Sequence, residues 1–289
     1  MSPPFLGPTK HIRKTLSTLG GASLCLTIFV FLLLAARSSA ASLTFSNASP
    51  IVINDSLAPP VAAAPYPSSL TVTGFVGQVV SKITVGLYGF THGFPSDVDI
   101  LLVGPQGQMT ILTANAGGQN RYSVTNLTLT FDDAAVSTLP IYTRLASGTF
   151  KPTDGYAALG YPNLPFEFPS PAPAGNSNSP TALSVFRNSD PNGTWKLFVV
   201  DDVSGDGGTI AGGWSLTVSA AVPLQIARIQ TNIIVSWPAA ATNGTLQTAT
   251  GLSTQWNNVM NTPVSNSGHF YVTNAMNGAS KFYRLIQTP

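Results

Sequence analysis

The sequence predicts an all-β protein: a jelly-roll-like β-sandwich, then a smaller C-terminal β-sandwich, after an N-terminal signal peptide. Three observations predict it. Apolar residues recur with period two and never convincingly with period 3.6 after the first forty residues. Turn signals such as Gly104-Pro105-Gln106-Gly107 and Asp190-Pro191-Asn192-Gly193 separate short runs of Val, Ile, Phe and Thr. Finally, 44% of the 289 residues are apolar and only 8% charged, so the chain has a core to bury and is not compositionally disordered.

Residues 1–40 have the layout of an export signal. Lys10, Arg13 and Lys14 form a basic start, Ala22 to Ala36 an apolar stretch, and Ser38-Ser39-Ala40 a small-residue cleavage site. The expected location is therefore extracellular. Leu16 to Ala36 is also long enough to cross a bilayer, so a membrane association follows only if the segment stays uncleaved. Cys25 is the single cysteine and leaves with the signal, so the secreted chain must hold its loops by packing or by metal rather than by disulfides. Four of the 13 Lys and Arg lie in residues 1–40 and none of the 11 Asp and Glu, which leaves 9 − 11 = −2 for the rest. The basic balance belongs to the leader. With no basic stripe carrying interleaved aromatics, nucleic acid is excluded as a partner.

Residues 41–67 read as a lead-in that ends in the linker-like "LAPPVAAAPYP". Residues 68–220 carry the main sandwich. Ile83, Val85 and Leu87 share one strand face, as do Trp195, Leu197 and Val199, and again Trp214, Leu216 and Val218. Lys151 to Pro180 is proline-rich without alternation and reads as a long loop laid over the sandwich. Residues 222–289 contain Arg228, Lys281 and Arg284 but no acid. That change of balance marks a second, small β-module.

Four blocks occur in order within residues 65–220: "ITVGLYGFTHGFPSDVDILLVGPQGQ", "LTFDDAA", "SGTFKPTD" and "NGTWKLFVVDDVSGDGGTIAGGWSLTV". Together they resemble the P domain (P/Homo B domain) of proprotein-convertase-like proteins. The tail, with "LQTATGLSTQW" and "FYRL", is similar to a small β-module that closes many secreted bacterial proteins. The resemblance implies a β-sandwich of the kind attached to subtilisin-like serine endopeptidases, acting in stabilisation or attachment. It also leaves open assistance to a serine protease in trans, within a proteolytic system. No protease accompanies it here. His92 and His269 are the only histidines after residue 40, His92-Gly93 lies inside a block the P-domain resemblance explains, and no Gly-x-Ser nucleophile block follows. The expectation is a non-enzyme. A third reading is recognition of an extracellular glycan or cell-surface protein by Tyr156, Tyr161, Phe166 and Phe168 of the proline-rich loop.

"DDVSGDGGTIAGGW", Asp201 to Trp214, carries the metal question. From Asp202 it runs Asp-x-Ser-x-Asp-Gly, the opening rhythm of a calcium loop, yet Gly213 stands where the closing glutamate belongs and the flanks read as strands. Any ion here needs help from another loop. Asp97 and Asp99, two apart in an expected strand, share a face at roughly 7 Å and repel unless a cation or solvent lies between them. Asp97, Asp99, Asp201, Asp202 and Asp206 are thus the candidate ligands and calcium the candidate cofactor. The competing reading is a solvated Asp/Gly turn.

Overall fold

A computed structural model describes residues 41–118, 122–160, 168–173, 180–251, 255–276 and 281–287. The expected signal peptide, Cys25 included, lies outside the described residues, as do Tyr161 and Phe166. No helix among the described residues is long and apolar enough to cross a membrane.

The chain is all-β. Its strands up to residue 221 are β1 (Ala41–Asn47), β2 (Ile51–Ile53), β3 (Val61–Ala62), β4 (Ser68–Val72), β5 (Val79–His92), β6 (Val98–Val103), β7 (Met109–Ala114), β8 (Val124–Phe131), β9 (Ser137–Thr138), β10 (Gly148–Lys151), β11 (Thr153–Asp154), β12 (Gly193–Asp201), β13 (Gly208–Ile210) and β14 (Trp214–Ala221). The one α-helix described, α1 (Gly155–Ala158), is a single turn, and 3₁₀ turns cover Pro95–Asp97 and Leu183–Phe186. One sheet runs β1-β14-β5-β8-β10-β9, with β13 joining β5 and β2. The second runs β11-β7-β6-β12-β3, with β4 also on β12. Apart from β6–β7 and β9–β10, neighbouring strands are not consecutive in the chain, which means crossing connections, as in a jelly roll.

The period-two faces read from sequence are the inner faces. Ile83, Val85, Leu87, Trp195, Leu197, Val199, Trp214, Leu216 and Val218 form one buried core with Phe75, Phe131 and Phe186. Burying a side chain of this size contributes about 1.5–3 kcal/mol, so these three strands are the main adhesive between the sheets. Their polar tips are satisfied: Trp195 Nε1 donates to the Pro191 carbonyl (2.9 Å) and Trp214 Nε1 to Ser68 Oγ (3.0 Å).

β6 is buried on both faces. Val98, Ile100 and Leu102 join the core, while Leu101 and Val103 join Ile111, Ala114 and Phe198 in a second cluster on the outside of the sheet. Tyr66, Phe168 and Ala172 cap that outer cluster. The Tyr66 ring meets Phe198 edge-on at 5.0 Å, and its hydroxyl donates to the Pro169 carbonyl (2.9 Å). Burial pushes the Tyr66 phenol up. Residues 168–173 of the proline-rich segment are thus a cover, with Phe168 packed against the protein, whereas the start of the segment is not the loop expected from sequence but holds β11 and α1.

The structure differs from the sequence reading in residues 41–67. This lead-in contributes β1, which pairs along Trp214 to Ala220, β2, which pairs with β13, and β3, which pairs with β12. Strands of two and three residues between prolines are too short to display a period.

After residue 221 come β15 (Gln225–Ile229), β16 (Asn232–Pro238), β17 (Gly244–Ala249), β18 (Asn257–Asn258), β19 (Val264–Asn266), β20 (His269–Ala275) and β21 (Phe282–Gln287). They form sheets β15-β16-β20-β19 and β18-β17-β21 over a smaller cluster of Val235, Trp237, Leu246, Val272, Tyr283 and Leu285. Arg284 lies 4.4 Å above the Trp256 ring and donates through Nε to Gln247 Oε1 (2.8 Å).

Candidate metal centre

β6 and β12 run antiparallel, with Asp99 opposite Val200 and Asp201 opposite Val98. One step further the Asp202 N–H donates to the Asp97 carbonyl (2.9 Å). All the sequence-predicted acids except Asp206 therefore meet at one corner of the sheet. Asp97 is not in a strand, as its spacing from Asp99 suggested. It closes the 3₁₀ turn that Pro95 starts, because proline fixes the φ such a turn needs.

Strand alternation then splits the cluster. Asp201 has the parity of Trp195, Leu197 and Val199, so it faces into the sandwich. There its Oδ2 lies 3.1 Å from His92 Nε2 on β5, and its Oδ1 accepts the Val203 N–H (3.1 Å). The Phe94 N–H donates to His92 Nδ1 (3.2 Å), so that nitrogen carries no proton and Nε2–H is the donor to Asp201. This pair is sealed from water, at 0% and 1% side-chain exposure, and both partners are satisfied.

Asp99 and Asp202 have the opposite parity and face outward. Asp99 is 1% exposed. Its carboxylate accepts the Asn115 backbone N–H, but Oδ1 has no partner. Asp202 Oδ1 is likewise buried and unpartnered. Other buried atoms left open, such as Trp237 Nε1 and Tyr283 Oη, belong to neutral groups. Among the described residues no Lys or Arg forms an ion pair with these aspartates; the one lysine–carboxylate pair is Lys82–Asp132 at 2.6 Å.

The electrostatics follow from that crowding. Burial, then the charges of Asp202 and Asp201, push Asp97 up to about 7. Burial, then Asp201, pushes Asp202 to about 6. Asp99 is driven well above the carboxylate range, chiefly by burial, then by Asp202, with Asp154 and Asp97 adding to it. Negative charge is unwelcome at this corner unless something positive joins it.

Asp206 is apart from the others. It lies against Gly93 in the loop before β13, where Asp97 still feels its charge weakly. The glycines of this loop have a packing reason: a Cβ on Gly208 would strike the Thr91 carbonyl oxygen and the His92 ring across the β5–β13 pairing.

Two residues were not singled out from sequence. Asp154, on β11, accepts the N–H groups of Tyr156 (2.9 Å) and Ala157 (3.2 Å) and so caps α1. Asn115 follows β7 directly, with φ 49°, and supplies the N–H that Asp99 accepts. The Asp154-Gly155 pair was visible as a helix-start pattern. The pairing that brings it to the corner was not. Asp132 and Asp133, by contrast, are engaged: Asp132 bonds Lys82 and the Ala134 N–H, and Asp133 bonds the N–H groups of Leu183 and Ser184, both at 2.8 Å.

No three His, Cys, Asp or Glu side chains among the described residues converge into a group ready to hold a metal. What the corner does offer is hard oxygen chemistry, two buried oxygens without partners, and no nitrogen or sulfur donor set for zinc. A depression of about 400 Å³ lined by Asp133, Thr138, Lys151, Pro152, Thr181 and Ala182 involves none of these acids. No family model, curated protein or solved structure matches this chain.

Proposed function

We propose that the chain is a secreted, non-catalytic β-sandwich protein of P-domain type that acts in stabilisation or attachment and binds calcium at the outer corner of β6 and β12. One observation carries the metal reading. Asp99 Oδ1 and Asp202 Oδ1 are buried without partners, in a cluster of carboxylates that no described Lys or Arg neutralises. Leaving such groups unpaired costs several kcal/mol in principle, and a hard cation is the simplest remedy. Asp97, Asp99 and Asp202 would hold it. Calcium takes roughly six to eight oxygens at about 2.3–2.6 Å, so main-chain carbonyls and water complete the set.

The non-catalytic reading is supported by His92, both of whose ring nitrogens are occupied, one by Asp201 and one by the Phe94 N–H. Neither is left to activate a nucleophile. Its attachment partner is a protease, a cell-surface protein or a glycan. Phe168 gives no support to a glycan platform, since it packs on the outer apolar cluster.

The purified protein is tested by differential scanning calorimetry in calcium and in chelator. A Tm several degrees higher in calcium is expected, since a ligand at 100 times its Kd adds about 2.7 kcal/mol. Equal Tm values in calcium, magnesium and chelator would remove the metal from the reading.

A further inference from the structure

We propose that the outer face of the larger sheet binds a neutral polysaccharide, with Tyr88 as the ring on which a sugar stacks. The inference rests on the attachment reading above and names its ligand class. It moves the glycan site from the proline-rich loop to the sheet.

Alternation builds this face. On β5, β14 and β8 the residues Val85, Leu87, Leu216, Leu129 and Phe131 take the core side, so their chain neighbours point outward. Those neighbours are largely Ser and Thr. Every outward position of β1 (42, 44 and 46), and every one of β14 from 215 to 219, carries a hydroxyl. Strand register aligns them. Ser46 lies opposite Ser215, Ser215 opposite Gly86, Gly86 opposite Thr130, and Thr130 beside Thr149. That row crosses five strands, roughly 19 Å at the usual strand spacing.

Tyr88 is set into the middle of the row. Its backbone lies one row further along β5, opposite Thr128, and its ring runs back along the strand over Gly86. A Cβ on Gly86 would stand 2.7 Å from the Tyr88 hydroxyl, and one on Gly212 would stand 2.9 Å from Tyr88 Cβ. Two glycines therefore make room for the ring. Its hydroxyl is anchored to Ser215 Oγ at 2.8 Å, yet the residue stays 40% exposed. An aromatic pinned along the sheet by its tip and left open to solvent is held ready for a ligand, with little side-chain freedom left to lose on binding.

A sugar matches this surface in two ways. The C–H face of its ring is apolar and stacks on an aromatic, and its hydroxyls meet groups that both donate and accept. Ser46, Thr128 and Thr149 are exposed groups of that kind around Tyr88. The face already pairs hydroxyls across strands, as in Thr44 Oγ1–Thr217 Oγ1 at 2.9 Å and Ser219 Oγ–Ser42 Oγ at 3.2 Å.

Charge and composition exclude the other partners. Among the described residues, the rows through Gly86 and Tyr88 hold no charged side chain. Lys82, Asp132 and Lys151 lie toward the other end of the strands, and Lys82 is paired with Asp132. An anionic polymer finds nothing there to steer it in. Protein interfaces concentrate aromatics, Met and Arg at their centre and are depleted in Ser. A face with one aromatic, no Arg in its central rows and hydroxyls around it has the reverse composition.

The test is retention of the full protein on insoluble cellulose, chitin and β-1,3-glucan, with heparin beads as the anionic comparison. Retention is expected on at least one of the three neutral polymers, equally at low and high salt. Tyr88→Ala is expected to weaken it at least tenfold, as truncation of an aromatic anchor does. Tyr88→Phe keeps the ring and should bind within about threefold of the unmodified protein, and Leu57→Ser, at an apolar residue 96% exposed elsewhere, should bind unchanged. Amide spectra of the unmodified protein give a second readout that needs no variant to fold. A soluble hexasaccharide of the retained polymer should shift the Thr128 and Thr130 signals and leave those of Val235 and Val272 in place. No retention on any neutral polymer, retention on heparin alone, undiminished binding by Tyr88→Ala, or unmoved Thr128 and Thr130 signals each overturns the inference. Those outcomes leave attachment to a protein standing, because that reading does not require this face.

Discussion

Asp201 and Asp202 are neighbours in the chain and opposites in the fold. Asp201 points into the sandwich, where His92 Nε2–H and the Val203 N–H take up its two oxygens. Asp202 points outward into a group of like charges, with Oδ1 buried and unpaired. One step of strand alternation converts a closed polar contact into an open one. The inner corner is a piece of structure that asks for nothing further. The outer corner is stable only to the extent that protons or cations join it. The acids of a motif such as Asp-Asp-x-Ser-x-Asp thus need not share a purpose; the face each residue takes decides.

The sharpest way to break the comparison is at the inner corner. Asp201→Ala leaves the His92 Nε2–H buried without an acceptor and frees the Val203 N–H. Removing one partner of a buried pair costs about 3–5 kcal/mol. Thermal unfolding should register a Tm drop of some 10 °C, at about 2–4 °C per kcal/mol for a domain of this size. The loss should appear in calcium and in chelator alike, offset in chelator by the smaller relief that removing the Asp201 charge gives Asp97 and Asp202. A loss seen only in calcium would move Asp201 back into the metal site.

At the outer corner the sign should depend on the solution. Burial already favours the uncharged form of Asp99, so Asp99→Asn resembles the protonated side chain. In chelator its Tm should equal or exceed that of the unmodified protein. In calcium it should lack the stabilisation the ion confers, about 1–3 kcal/mol at moderate excess of ligand. A variant that is destabilised equally in both solutions would make Asp99 an ordinary core residue.

Much of this was legible. The inner faces of β5, β12 and β14 were read from alternation alone, and the same alternation, extended from Trp195, Leu197 and Val199 to residue 201, was there to be used, yet the calcium rhythm kept Asp201 among the candidate ligands. Other parts left no local trace. β2 and β3 hold three and two residues, fewer than a period needs, and their partners β13 and β12 lie more than a hundred residues away. Asp154 reaches the corner only through the two-residue parallel pairing of β11 with β7. Non-local pairing is where strand register is decided, and a single sequence records it only through the face that gets buried.

The smallest expected effect is the most specific to the open corner, and it comes from pH. Asp97 and Asp202 are raised to about 7 and about 6 in the folded protein, against about 4 in an unfolded chain. Between those values the native state holds more protons than the unfolded one, so stability must fall as pH rises. In chelator, Tm at pH 5 should therefore exceed Tm at pH 8 by a few degrees. Calcium should remove most of that difference by restoring stability at pH 8, and should do little at pH 5, where protons already relieve the repulsion. The inner pair predicts no such exchange between proton and cation. A chelated Tm that stays level or climbs from pH 5 to pH 8 would mean that the outward acids are solvated turn residues after all, and that Asp201 and Asp202 differ in direction but not in consequence.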